Sequence, residues 1–185
     1  LTIEEGTAFY KREPEGLPDN DLAAQMGEMV QTRLGEAGFE HYEVSGYAKV
    51  GRRCRHNLAY WTFGDYIGIG AGAHGKITTQ AGIIRTVRRA NPLLYEDDAD
   101  NARFASQVNF VLAQVLPFEF MLNVLRLYEG VPVARWQQTT GLPYEVIRDR
   151  VQALRDKKLL ADDPERLVCS PLGRNWLGTV QEAFL

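Results

Sequence analysis

Residues 42–76 read YEVSGYAKVGRRCRHNLAYWTFGDYIGIGAGAHGK, and the rest of the chain takes its meaning from them. At their centre His56, Asn57, Tyr60 and Trp61 stand in the order H-N-x-x-Y-W. An imidazole beside an amide, with two large rings one helical turn further on, supplies a metal ligand, a hydrogen-bonding group and flat apolar walls. That set suits a planar, metal-bearing ligand. Upstream, Lys49, Arg52, Arg53 and Arg55 follow one another without an intervening acid, a cluster able to hold carboxylates or phosphates. Downstream, Gly64, Gly68, Gly70, Gly72 and Gly75 let the backbone come close to a ligand. Each feature also has a plainer reading. His56 and Asn57 can cap a helix whose rings pack underneath, the arginines can be a solvated loop, and the glycines can be a tight backbone crossing. GIGAGAHG is a poor dinucleotide fingerprint, because its spacing lacks the following helix and the distant acid.

HNLAYW followed by FGDYIGIGAGAHGK resembles the radical S-adenosylmethionine family of oxygen-independent coproporphyrinogen III oxidases. More narrowly, H-N-x-x-Y-W resembles the HemW-like haem-chaperone branch of that family. The similarity runs from LTIEEGTAF through YEVSGYAK to LPFEFMLNVLRLYEGV and the closing helical region. The resemblance implies haem as ligand, with His56, Asn57, Tyr60 and Trp61 against it and His56 as the candidate iron ligand. It implies Arg52, Arg53 and Arg55 as propionate contacts, and Gly70, Ala71, Ala73 and His74 near the S-adenosylmethionine cavity. No residue is assigned a catalytic role.

The family's C-x-x-x-C-x-x-C, which holds a [4Fe–4S] cluster, is absent here, where the cysteines are Cys54 and Cys169. A chain opening on Leu1 as if mid-strand therefore reads as a fragment, inactive alone, with cluster and cofactor pocket expected in an N-terminal half. The partners implied are haem or porphyrin, haem-accepting proteins, that N-terminal half and, through an open sheet edge, a second copy as a homodimer. A true coproporphyrinogen III oxidase is the alternative, sharing the scaffold and releasing a decarboxylated porphyrinogen instead of passing haem on.

The chain has 185 residues, a formal charge of −3 and 45% hydrophobic content, which fit a globular protein with no general attraction to nucleic acid or membrane. No apolar run approaches the roughly 18 residues of a membrane span, and nothing resembles a signal peptide, so a cytoplasmic location is expected. Two distant cysteines make neither a disulfide framework nor a zinc site.

In chain order, a strand is expected at 1–4, a loop to Pro18, and an amphipathic helix over 20–37 with Leu22, Met26, Met29 and Val30 on its buried face. A strand at 41–45 would complete one parallel β/α unit, with 46–55 as the loop leaving it. Further expectations are a strand at 65–70, a hairpin of 76–79 with 83–87, Arg85, Arg88 and Arg89 in water, a polar connection over 91–101, and helices at 102–116 and 118–128. The end of the chain reads as helix, turn, helix and hairpin. The class is α/β, α+β overall: the last elements of a partial TIM-type barrel in residues 1–90, a connecting segment and helix in 91–116, and a winged-helix-like domain in 117–185. That last pattern raises a nucleic-acid-binding rival, with Arg148, Arg150 and Arg155 on a recognition helix. Acidic neighbours Glu145, Asp149, Asp156, Asp162, Asp163 and Glu165 oppose it by repelling phosphates.

Overall fold

In the computed structural model, which describes residues 3, 5–101, 103 and 105–185, the apolar stripe after Pro117 forms the centre of the core. Helix α5 (Leu116–Val124) begins with its proline in the first turn, where a missing N–H costs nothing, and buries Phe120, Met121 and Val124 completely. Trp136, Ile147, Val151, Leu167, Val180 and Phe184 close around it. Each such side chain contributes about 2 kcal/mol through burial. Phe63 and Ile83 from earlier in the chain join the same cluster, and Phe120 stands edge-on to both Phe63 (5.4 Å) and Trp136 (5.2 Å).

The chain divides into two units, residues 1–40 and 41–185. The first carries α1 (Ala8–Lys11) and α2 (Asn20–Glu36). Helix α1 falls in the expected loop: Thr7 caps it, its hydroxyl accepting from the Tyr10 N–H. For α2 the predicted Asp19 cap is present, the carboxylate accepting from the Leu22 N–H at 2.8 Å. Its predicted burial is not seen. Met26 and Met29 are 48% and 51% exposed, so within this unit the helix rests on its cap and ladder and not on a packed face. The strand expected at 1–4 falls largely on residues outside those described.

Strand β1 (Phe39–Glu43) forms a two-stranded sheet with β2 (Gly46–Lys49). The stretch expected to leave a parallel strand as a loop instead begins as its sheet partner. After α3 (Arg55–Trp61), β3 (His74–Thr79), β4 (Gly82–Val87) and β5 (Gln107–Phe110) form an antiparallel sheet in that order. The hairpin is where its alternation placed it, whereas the expected 65–70 strand is reduced to a bridge between Tyr66 and Lys76.

Two expectations for 91–116 are overturned. The polar connection is largely helix α4 (Pro92–Asp100), with Asn91 accepting from the Leu93 and Leu94 N–H groups. The expected helix over 102–116 is interrupted by β5, because Val108 and Phe110 pair with Thr86 and Ile84 across the sheet. That long-range pairing overrides local propensity.

Beyond α5 come β6 (Val131–Pro132), α6 (Ala134–Thr140), α7 (Glu145–Asp156), β7 (Arg166–Leu167), α8 (Pro171–Asn175) and α9 (Leu177–Glu182). β6 pairs antiparallel with β7, and Leu160 bridges to Cys169. Gly130, at φ +58°, permits the turn into β6. A Cβ there would lie 2.1 Å from the Leu167 carbonyl oxygen. Mixed α and β content stands as predicted.

Candidate functional site

The motif folds into one short helix. α3 starts at Arg55 without a side-chain cap from Cys54 and ends in a turn where the Thr62, Phe63 and Gly64 N–H groups return to the Leu58, Tyr60 and Ala59 carbonyls. Phe63 closes that turn at φ +56°, a conformation that costs a residue with a Cβ about 1–2 kcal/mol. Its ring is 2% exposed and packs against Phe120, a burial that offsets the strain and fixes the C-terminal end of α3 to the core.

His56 lies on the exposed side of α3, its ring edge-on to Tyr60 at 4.8 Å, and Tyr60 in turn meets Tyr66 at 4.1 Å. Asn57 donates to the Tyr42 hydroxyl at 3.4 Å, tying α3 to β1. Trp61 is half-buried under the Arg126 guanidinium, 4.3 Å from its ring centre, and its indole N–H has no hydrogen-bond partner. The fold thus gathers all four motif residues on one helix, with the imidazole outermost.

The basic cluster is divided. Arg53 is bound by Glu129 through two hydrogen bonds, 2.8 and 2.6 Å, and leans over the Tyr42 ring. The hydrogen bonds from Arg53 hold the Glu129 carboxyl below its ordinary range, outweighing a slight burial that acts upward. Arg52 and Arg55 are exposed. The sequence reading treated the three arginines alike; the structure gives Arg53 a bracing position and leaves the other two facing solvent.

The glycine strip is a tight crossing. A Cβ on Gly68 would lie 2.4 Å from the His74 carbonyl oxygen, and one on Gly75 2.5 Å from the Thr86 hydroxyl. Gly70 donates its N–H to the Tyr95 hydroxyl at 3.1 Å, and Ala73 donates to the Gly70 carbonyl while accepting from Arg88. His74 is exposed at the start of β3, and Ala71 is exposed beside it. His41, the remaining histidine, is enclosed between Tyr47 and Tyr128, each at 4.1 Å, and bonds to the Val44 carbonyl, a structural position.

Of the three arginines expected in water, Arg89 is indeed exposed, whereas Arg85 and Arg88 are partly buried, and all three have internal partners. Arg85 reaches the Tyr66 hydroxyl at 2.8 Å and Glu119 at 2.6 Å, Arg88 donates to the Gly68 carbonyl, and Arg89 pairs with the buried Asp98. Lys76, 1% exposed, bonds to Asp65 at 2.9 Å, the Phe63 carbonyl and Thr78. Burial lowers its pKa despite the carboxylate. On Asp65 itself, burial acts upward but the bonds from Lys76 and Thr78 outweigh it, and its pKa falls.

Sequence reasoning also missed Arg126, Arg135 and Glu43. Arg135 donates to the Thr62 carbonyl at 2.8 Å, occupying a free acceptor at the end of α3. Arg126 had a signal: a lone cation between Leu125 and Leu127 in an apolar stripe demands a partner.

Iron–sulfur ligation needs cysteine thiolates. Cys54 is exposed and Cys169 buried, its thiol pushed up to about 11 by desolvation, and no group of three His, Cys, Asp or Glu side chains converges among the described residues. These residues do not fit a [4Fe–4S] cluster. The recognition-helix arginines are occupied as well: Arg148 pairs with Glu145, Arg150 donates to the Phe184 carbonyl, and Arg155 to the Asp163 carbonyl. No described helix is long and apolar enough to cross a membrane.

The fold resembles that of a radical S-adenosylmethionine enzyme: it overlays on the solved structure of coproporphyrinogen III oxidase (HemN) from Escherichia coli with a TM-score of 0.61, at 12% identity, covering 91% of this chain and 42% of that one. Residues 111–176 match the HemN C-terminal domain. Over its whole length the chain is 39% identical to "Heme chaperone HemW" of Escherichia coli strain K12, covering 48% of that protein. It is 35% identical to the protein of that name from Mycobacterium tuberculosis H37Rv over 94% of this chain and 43% of that one. The chain is therefore a homologue of the HemW haem chaperones, which it matches over its whole length. It spans about half the length of the curated relatives it matches.

Proposed function

We propose that this chain provides the haem-facing segment of a haem chaperone, which binds haem at α3 and passes it to acceptor proteins. The observation that carries the reading is the exposed His56 at the head of a three-ring cluster, with Tyr60 and Tyr66 behind it, in a chain homologous throughout to haem chaperones. In this reading His56 ligates the iron, Asn57, Tyr60 and Trp61 shape the face, and Arg52 and Arg55 meet the propionates. Arg53 serves as a brace while Glu129 holds it. Gly70, Ala71, Ala73 and His74 lie beside the S-adenosylmethionine cavity, and the cofactor and its cluster belong to parts of the full-length protein outside this segment. Residues 1–90 contribute to the barrel, and the helices and paired strands of 117–185 form a winged-helix-like module serving as a brace. The oxidase and nucleic-acid readings are not favoured.

A haemin titration of the full chain, followed at the Soret band, tests the proposal. His56→Ala should weaken binding about tenfold or more, and His74→Ala should leave it unchanged. Equal binding by the parent and both variants would remove His56 from the iron.

A further inference from the structure

The Arg126 guanidinium lies over the Trp61 ring, 4.3 Å from the ring centre, and is itself held by hydrogen bonds. One terminal nitrogen donates to the Glu43 carboxylate at 3.2 Å and to the Ser45 hydroxyl at 3.4 Å. Glu43 is 2% exposed, and its second oxygen accepts from the Ser45 backbone N–H and hydroxyl, so the acid cannot swing away to solvent. The backbone repeats the tie: Glu43 bridges to Leu127, and the Tyr128 N–H donates to the Tyr42 carbonyl at 3.1 Å.

Two donors in this arrangement have no acceptor, the indole N–H of Trp61 and the Nε–H of Arg126. Leaving buried donors unpaired costs about 1–3 kcal/mol each, so hydrogen bonding does not explain why these groups adjoin. The cation over the indole ring does, since a guanidinium can lie against an aromatic face while its fork reaches the carboxylate. Nearby contacts act on the same helix. Arg135 takes the Thr62 carbonyl just past Trp61, and Glu129 takes Arg53 just before α3. Arg126, Glu129 and Arg135 all come from the segment that follows α5, within the HemN C-terminal domain match.

We infer that Arg126 is a positioning residue: aligned by Glu43, it sets the plane of Trp61 and so couples the C-terminal module to the ligand face of α3. Its effect on ligand rests on the haem reading above, whereas its effect on Trp61 does not. The experiment uses the full chain in a Trp176→Phe background, which removes the exposed tryptophan and leaves Trp61 beside the wholly buried Trp136. Acrylamide quenching and haemin affinity are measured together for Arg126→Ala, Arg126→Lys and, as a control remote from α3, Arg150→Ala.

Arg126→Ala should raise the quenching constant about twofold and weaken haemin about fivefold, with Arg126→Lys recovering little because an ammonium has no flat face. Arg150→Ala should change neither. Unchanged quenching in a folded Arg126→Ala overturns the positioning role. Raised quenching with parental haemin affinity, while His56→Ala still weakens binding, overturns the coupling to ligand and leaves the haem reading standing. If neither Arg126→Ala nor His56→Ala alters haemin binding, the haem reading fails, and quenching alone then decides the positioning role. Should Arg126→Ala not fold, Glu43→Gln, which weakens the alignment and keeps the cation over the ring, should give the same changes at smaller size, and its silence in both readouts overturns the proposal.

Discussion

Trp136 and Trp61 occupy opposite kinds of site. Trp136 is fully enclosed, meets Phe120 edge-on and donates its indole N–H to the Pro143 carbonyl at 3.0 Å. Trp61 is half-buried, covered by a cation and without a partner for its N–H. A side chain kept for stability has its polar atom satisfied, as Trp136 does. Trp61 packs only partly against the core, with its polar atom unmatched and a guanidinium over its ring. The difference separates the core from the candidate site more sharply than hydrophobicity does, because both regions are rich in rings.

The widest test of this contrast is Trp136→Ala, which should cost about 4 kcal/mol by removing the largest core side chain and orphaning the Pro143 carbonyl. Chemical denaturation would show it, and a loss under about 1 kcal/mol would erase the distinction. Intermediate in size is Asp65→Asn, which leaves the buried Lys76 ammonium without its counter-charge. The expected loss is about 2 kcal/mol, below that of a fully enclosed pair because Asp65 is half exposed. The pH dependence follows the direction of the shift. With the Asp65 pKa lowered by folding, its contribution is complete above the ordinary carboxylate range and disappears as pH falls toward the folded value. Denaturation midpoints between pH 6 and 2.5 should therefore fall less steeply in Asp65→Asn than in the parent. Trp61→Phe should be the mildest, under about 1 kcal/mol, since no hydrogen bond is lost and an aromatic face remains for Arg126. A larger loss by the same measurement would make Trp61 a core residue like Trp136.

Much of the fold could be read from local pattern. α5, α6 and α7 follow helical apolar spacing, the β3–β4 hairpin follows alternation around Gln80 and Ala81, and HNLAYW is indeed one helix. What could not be read depends on partners distant in sequence. β5 is a strand because β4 lies alongside it, and Arg85 is internal because Glu119, 34 residues on, comes to meet it. The same holds for the site. Its four candidate residues are local in sequence and share one helix, but Arg53 looked like its neighbours until Glu129, 76 residues away, singled it out. Arg126 meets Glu43 across 83 residues, a separation no window of sequence spans.

Gly130 carries a consequence for how freely this molecule can vary. The Leu167 oxygen lies 2.1 Å from where a Cβ would sit, which closes the position to any side chain, and a φ of +58° adds strain to that clash. The adjacent Glu129 is under no such restriction, and neither are Arg52 and Arg55 on the solvent side. A lineage could therefore retune the charge around α3 step by step, while the turn that delivers Glu129 to Arg53 has a single permitted spelling.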